Sequence, residues 1–312
     1  MAHLHILNGA IDSPVRLDIR KIGLADLADA LWRGLNDFAA MPSHVIFLGL
    51  LYPIVGFVVF RLAFGYDVLP LLYPLATGFA LIGPLAAVGL YELSRRREQG
   101  RDTHWTHVFD VRRSPSIGAI VALAVLLMLI FLVWLATAQA IYQSLFGVLA
   151  PSSITNFIHD VLTTDAGWKL MLFGNAAGFL FALVVLVISV VSCPLLLDRD
   201  VGAAVALSTS VRAVAANPFP MAVWGLIVAV LLTLGSLPFF FGLAIVVPIL
   251  GHATWHLYRR VVEFPEKIQG FQEDNASASG LDRVGVAVPG SRPTRLAGLA
   301  VGRLPLHRPP MS

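Results

Sequence analysis

Two histidines four residues apart, His252 and His256 in GHATWHLYRR, are the residues whose spacing points most directly to chemistry. Positions i and i+4 of a helix share one face, so both imidazoles can reach a single metal ion or one haem. His104 and His107 form a second pair at i, i+3, and His44 stands beside another apolar run. Five histidines at one membrane level would assemble a haem or transition-metal site if the segments carrying them pack around an axis. The competing reading is structural. His252 lies about 10 Å along a helix from Arg259, near the headgroups, where a neutral imidazole finds water or a backbone partner. Trp255 and Tyr258 then read as an aromatic belt.

Other chemistry finds little support. Cys193 is the single cysteine, so no intramolecular disulfide forms and a cysteine zinc site is disfavoured. The chain has no HExxH, no CxxCH, no Gly-rich phosphate loop, no nucleophile arrangement and no paired carboxylates. Deep in the apolar runs there is no Asp, Glu, Lys or Arg, whereas ion-coupled carriers and proton relays normally place such groups there. The polar residues at depth are Thr77, Gln139, Asn175 and Ser189. Asn175 sits in a small-residue stripe, Gly174, Gly178 and Ala182, suited to close helix packing with one interhelical hydrogen bond. Glu92 can pair with Arg95 or Arg96 and is read as a solvated helix end.

The elements that would position these residues are membrane helices. Apolar residues make up 57% of the 312 positions and charged ones 13%, against about 45–50% and about 25% in soluble domains. Six runs, roughly 44–64, 68–91, 117–140, 168–193, 219–237 and 239–258, are each long enough to cross a bilayer. Only Ser236, Leu237 and Pro238 separate the last two, which read as a tight hairpin. The first 20 residues lack a signal peptide's charged start and apolar core, so the first span is expected to drive insertion.

Three X-Pro junctions, at Pro42, Pro115 and Pro218, each end a short amphipathic segment and start an apolar run. Positions −4, −7 and −11 from each proline read Phe38/Leu35/Leu31, Val111/Val108/His104 and Val214/Val211/Leu207. Since X-Pro stops a helix at X and starts the next cleanly, each junction reads as an elbow. The returning runs share Pro84, Pro194 and Pro248, which should kink them and free backbone groups for neighbours to satisfy. The expected fold is all-α: six transmembrane helices as three helical-hairpin repeats, about 23–98, 99–198 and 199–262, each preceded by a cytoplasmic amphipathic helix. A cytoplasmic segment, 1–22, precedes this membrane domain (23–262), and a disordered cytoplasmic tail, 263–312, follows it. Arg and Lys concentrate in the N-terminal segment, in the loops after runs two and four, and at Arg259 and Arg260, which places both termini in the cytoplasm. Residues 141–167 include a partly amphipathic stretch, with Phe157, Ile158, Val161 and Leu162, expected to lie on the outer leaflet.

The stretches HVIFLGLLYPIVGFVVFRLAFGYDVLPLLYPLATGFALIGPLAAVGLYELSRRREQG and SVRAVAANPFPMAVWGLIVAVL, with PILGHATWHLYRR, resemble a family of bacterial predicted integral membrane proteins of unknown function over about residues 20–262. The junction pattern is more loosely similar to membrane domains of glycerophosphodiester phosphodiesterases, without a catalytic domain. The family resemblance implies a bacterial inner-membrane location and brings no site residues. The functional expectation is a non-enzymatic assembly, scaffold or permease-like factor without a cofactor. One alternative is a metal- or haem-binding component of respiratory complexes using His252 and His256. Another is a channel or carrier for an uncharged or lipidic solute. Expected partners are the bilayer, anionic headgroups attracted by Arg95–Arg97, Arg101, Arg112 and Arg113, and a membrane protein or second copy; nucleic acid is not expected.

Overall fold

Where water is scarce every backbone N–H and C=O must find a partner within its own segment, and the apolar runs among the described residues accordingly fold as helices. A computed structural model describes residues 17–41, 66–149, 151–237 and 242–263. The first expected span, Pro42 and His44 lie outside the described residues. The chain divides into two units after Pro265, and the second, Glu266–Ser312, also lies outside them.

Helix α1 spans Leu24–Ala40; a short 3-10 helix, Tyr66–Leu71, leads into α2 (Leu72–Ala86) and α3 (Val88–Glu98). A second 3-10 helix, Trp105–Arg113, precedes α4 (Ile117–Phe146). Then come α5 (Ile154–Thr163), α6 (Asp165–Ser189), α7 (Ser192–Asp198), α8 (Ala203–Ala216), α9 (Pro218–Ser236) and α10 (Leu243–Val261). Three stretches, 117–146, 165–198 and 218–236, are long and apolar enough to cross a membrane. Much of their apolar surface points outward: Val121, Val125 and Leu129 on α4, Leu172, Phe179 and Leu180 on α6, and Phe219, Leu226 and Leu234 on α9 are all exposed.

Hydrogen bonds gather the helix ends into one charged end. Ser116, just before α4, donates to the Arg199 carbonyl beyond α7 at 3.3 Å. Asn217, at the start of α9, accepts from the Ile22 N–H at 2.9 Å and donates to the Arg20 carbonyl at 2.9 Å. Two short strands were not anticipated: β1 (Asp18–Ile19) pairs antiparallel with β2 (Val262–Glu263), tying the segment before α1 to the end of α10. At the opposite end α4 meets α5 through Tyr142 and Phe157, ring centroids 6.2 Å apart. The end of α9 also meets the start of α10, where a Cβ on Gly242 would lie 2.8 Å from the Gly235 carbonyl oxygen. The helices of the last two runs are therefore neighbours, while the connection between them lies outside the described residues. The amphipathic α5 forms as expected, with the Ser153 side chain accepting from the Asn156 N–H to cap it.

Two local expectations need correction. The segment before α4 is a 3-10 helix and not an α-helix. With three residues per turn, positions i and i+3 stack on one edge. That edge is His107–Asp110–Arg113, with His107 Nδ1 2.7 Å and Arg113 3.5 Å from the Asp110 carboxylate. Its second edge, Trp105, Val108 and Val111, is partly buried, and Val108 fills the space a Cβ on Gly89 would need. The three prolines of the returning runs also act differently from one another. Pro248 stands within an unbroken α10, and Pro84 precedes a turn at Ala87. Only Pro194 follows a clear break, at Val190–Val191, where its ring would meet the carbonyl of residue i−4.

That break is repaired by a neighbour. Ser210 of α8 accepts from the Val191 N–H at 3.2 Å and donates to the Val187 carbonyl at 2.8 Å. Its hydroxyl thus bridges the donor and acceptor that an unbroken helix would have joined directly. Ser210→Ala leaves both buried groups unpaired and should cost about 1–3 kcal/mol in reversible unfolding in detergent. Adding Pro194→Ala restores the missing N–H and lets the ladder close, so the double variant should lose less than the sum of the singles; strict additivity would contradict this account.

Candidate functional site

The polar centre of the charged end starts from a carboxylate on an apolar stripe. The buried face of α1 is Leu27, Ala30, Gly34 and Asp37. Gly34 permits close approach to α10, because a Cβ there would fall 2.6 Å from the Ala253 nitrogen. Asp29 pairs with Arg260 at 2.7 Å, Gly34 abuts Ala253, and Asp37 pairs with His256 at 2.9 Å. As α1 rises from 29 to 37, its partners on α10 fall back from 260 to the 253–256 turn, so the helices run antiparallel. Helix α1 thus lies along α10, and the elbow expected after it, at Pro42, falls outside the described residues.

Helix α3 brings the remaining groups. Ser94 Oγ is 2.6 Å from Asp37 Oδ2 and 2.7 Å from His252 Nδ1. Arg97 reaches Asp37 Oδ1 at 2.5 Å, and Glu98 lies 3.5 Å from His256 Nδ1 and 3.3 Å from Arg259. Burial raises the Asp37 carboxyl, but hydrogen bonds from His256 and Ser94 outweigh it and hold the group below the usual carboxylate range. An ionised Asp37 only accepts, so the Ser94 hydroxyl donates to it and His252 donates from Nδ1 to Ser94. Asp198, at the end of α7, closes the far side: Tyr258 donates to it at 2.8 Å and Arg259 stands 3.5 Å away.

The sequence-predicted residues divide into two groups. His252 and His256 meet in this network through Ser94 and Asp37. His104 and His107 lie on the 3-10 helix, where His104 Nδ1 contacts Thr106 at 3.0 Å and His107 bridges Asp110 and Asp102. Among the described residues no group of three or more His, Cys, Asp or Glu is arranged to hold a metal ion. Trp255 and Tyr258 are fully buried and so are core residues, not an aromatic belt; α1, α3 and α7 enclose this half of α10. Glu92 is likewise buried, not a solvated helix end, and binds Arg95 and Arg96 at 3.0 Å each.

The small-residue stripe on α6 is used unevenly. Gly178 seats Trp134, whose ring would lie 3.2 Å from an added Cβ, while Gly174 has no neighbour within 4 Å of that position. Asn175 makes the expected interhelical hydrogen bond, accepting from Tyr73 at 2.7 Å. Of the structural prolines, Pro115 lies in the turn before α4 and Pro218 starts α9. The sequence reading misses Asp37, Ser94, Glu98 and Asp198, and assigns Arg97 to lipid headgroups where the structure pairs it with Asp37. For Asp37 the signal was present, since it falls on the stripe Leu27/Ala30/Gly34.

A second network surrounds Arg96, which joins Glu92 to Asp110 at 2.7 Å. Hydrogen bonds to Asp110 and Asp102 raise the pKa of His107, and its imidazole in turn lowers both carboxyls. The sign follows. A raised histidine contributes stability that is complete below its unfolded pKa of about 6.5 and is lost as pH climbs through the folded value. The lowered carboxylates contribute above about 3.9 and lose it on acidification. Hydrogen-exchange protection of residues 105–113, corrected for intrinsic rate, should therefore fall as pH rises through the His107 titration. His107→Ala should remove that step; an unchanged step would assign it elsewhere.

Searches of curated proteins and of solved structures found no match, and nothing connects the chain to glycerophosphodiester phosphodiesterases. Residues 72–198, from α2 through α7, match the model of a family described as predicted integral membrane protein, DUF2189, whose function is unknown.

Proposed function

We propose that the protein is a non-enzymatic structural or assembly factor of the bacterial inner membrane, with six spans in three hairpin repeats and both termini in the cytoplasm. The observation that carries this reading is the state of the histidine pair. Both ring nitrogens of His256 face carboxylate oxygens, and His252 holds Ser94, so the pair joins α1, α3 and α10. A haem or metal at His256 would have to displace a carboxylate, either Asp37 from Nε2 or Glu98 from Nδ1. The outward apolar surfaces of α4, α6 and α9 offer faces for lipid or for a membrane-protein partner.

The absorption spectrum and metal content of purified protein test this reading. It predicts no Soret band, no stoichiometric metal, and a lowered unfolding temperature for His252→Ala/His256→Ala. A Soret band or bound metal that vanishes in that variant would establish the cofactor alternative. Solute uptake into proteoliposomes, with none expected, addresses the carrier alternative. Orientation follows from fusions at the C-terminus: a fluorescent reporter should light up, while a periplasm-dependent phosphatase stays inactive. The reverse pattern would invert the topology.

A further inference from the structure

The arginine cluster around the start of α4 is not one surface. Arg95, Arg96 and Arg97 are each paired with groups of the protein: Arg95 with Glu92 and the Leu197 carbonyl, Arg96 with Glu92 and Asp110, and the more exposed Arg97 with Asp37. Arg112 and Arg113 remain outside. The 3-10 helix explains the division, because its three edges carry three chemistries. One apolar edge meets α3, and the His107–Asp110 edge meets Arg96. The third edge, Thr106, Phe109 and Arg112, is exposed.

We propose that this third edge, with Arg113, is a docking surface for the phosphates of anionic lipid headgroups. Depth supports it: Arg113 stands four residues before Ile117, where α4 begins, and α4 exposes Val121 and Val125 in its first turns. The phosphate layer of a bilayer spanned by α4 therefore lies beside this edge. Chemistry supports it as well. The Arg112 guanidinium carbon sits 5.2 Å from the Phe109 ring centroid, and Trp105 meets the same ring edge-on at 6.4 Å. Stacking occupies the guanidinium's face and leaves its in-plane N–H donors for phosphate oxygens. Phe109 is 43% exposed, an aromatic ring placed to enter the acyl boundary while the arginine stays at the headgroups. Arg113 is 87% exposed and reaches Asp110 only at 3.5 Å, so its charge faces outward. Arg112 makes no ion pair among the described residues.

The test uses the full-length protein reconstituted in phosphatidylcholine bilayers doped with spin-labelled phosphatidylglycerol or, in parallel, spin-labelled phosphatidylcholine. The wild type should hold phosphatidylglycerol preferentially in the motionally restricted fraction, and the preference should shrink in high salt. Arg112→Gln/Arg113→Gln should reduce it by roughly fivefold per arginine, the factor matching about 1 kcal/mol per basic residue at a surface. Arg112→Lys/Arg113→Lys keeps the charge and should retain most of the preference, which separates loss of charge from loss of fold. A wild type that does not distinguish the two lipids, or a glutamine double variant that keeps the preference, would overturn the proposal.

Discussion

Asp37 is the residue on which the charged end depends. Its two oxygens accept from Ser94, His256 and Arg97, and those partners stand on α3 and α10 while Asp37 itself belongs to α1. A carboxylate removed from water is tolerable only when its lone pairs are filled by well-placed donors. Here three donors converge, the Arg97 guanidinium among them. The close packing of α1 on α10 follows from the same arrangement, because without a glycine at position 34 the helices would stand too far apart for the Asp37–His256 contact. Around this contact α10 becomes a buried post, with Trp255, Leu257 and Tyr258 wholly enclosed. Helix α3 distributes the charge further, to α7 through Arg95 and to the 3-10 helix through Arg96.

Such a network orients helices more than it adds net stability, since the desolvation of each ion offsets much of the Coulombic gain. The apolar contacts that would separate one helix arrangement from another in lipid are weakly directional. Paired charges are not: Asp37 fits opposite His256 in one register only, and Asp29 opposite Arg260 fixes the other end of the same helix. The division of labour is then clear. Apolar helices α4, α6 and α9 are long and apolar enough to cross a membrane, and polar pairing at their ends sets how they are joined. Ser210 shows the same rule on a smaller scale, with one hydroxyl closing the gap between α6 and α7.

The long helices and their helical class were legible because apolar length is a strong signal. The geometry of the histidines was half legible: the i, i+4 spacing put His252 and His256 on one face, but only the fold shows that α1 and α3 meet that face with Asp37 and Ser94. Counting back from the X-Pro prolines drew attention to −4, −7 and −11, which prove partly or largely exposed on α1 and α8. The informative positions were −5 and −8. They hold Asp37 and Gly34 in the first segment, Asp110 and His107 in the second, and Ala213 and Ser210 in the third. Apolar residues attract a periodicity search, whereas these helices are held by their small and charged positions. The 3-10 helix had its signal too, in the period-three series His104, His107, Asp110 and Arg113, of which a search for histidine pairs saw only the first half.

The central claim is that Asp37 and His256 act as one unit. A double-mutant cycle on the full-length protein in mild detergent, with Asp37→Ala, His256→Ala and both together, measures this directly by reversible unfolding. The account predicts that each single change costs about 3–5 kcal/mol, as expected when one partner of a buried pair is removed. The double variant should then lose less than their sum by well over about 0.5 kcal/mol, the scatter found for independent sites. Costs that simply add would show that the two residues do not interact, and the clamp between α1 and α10 would fall with them.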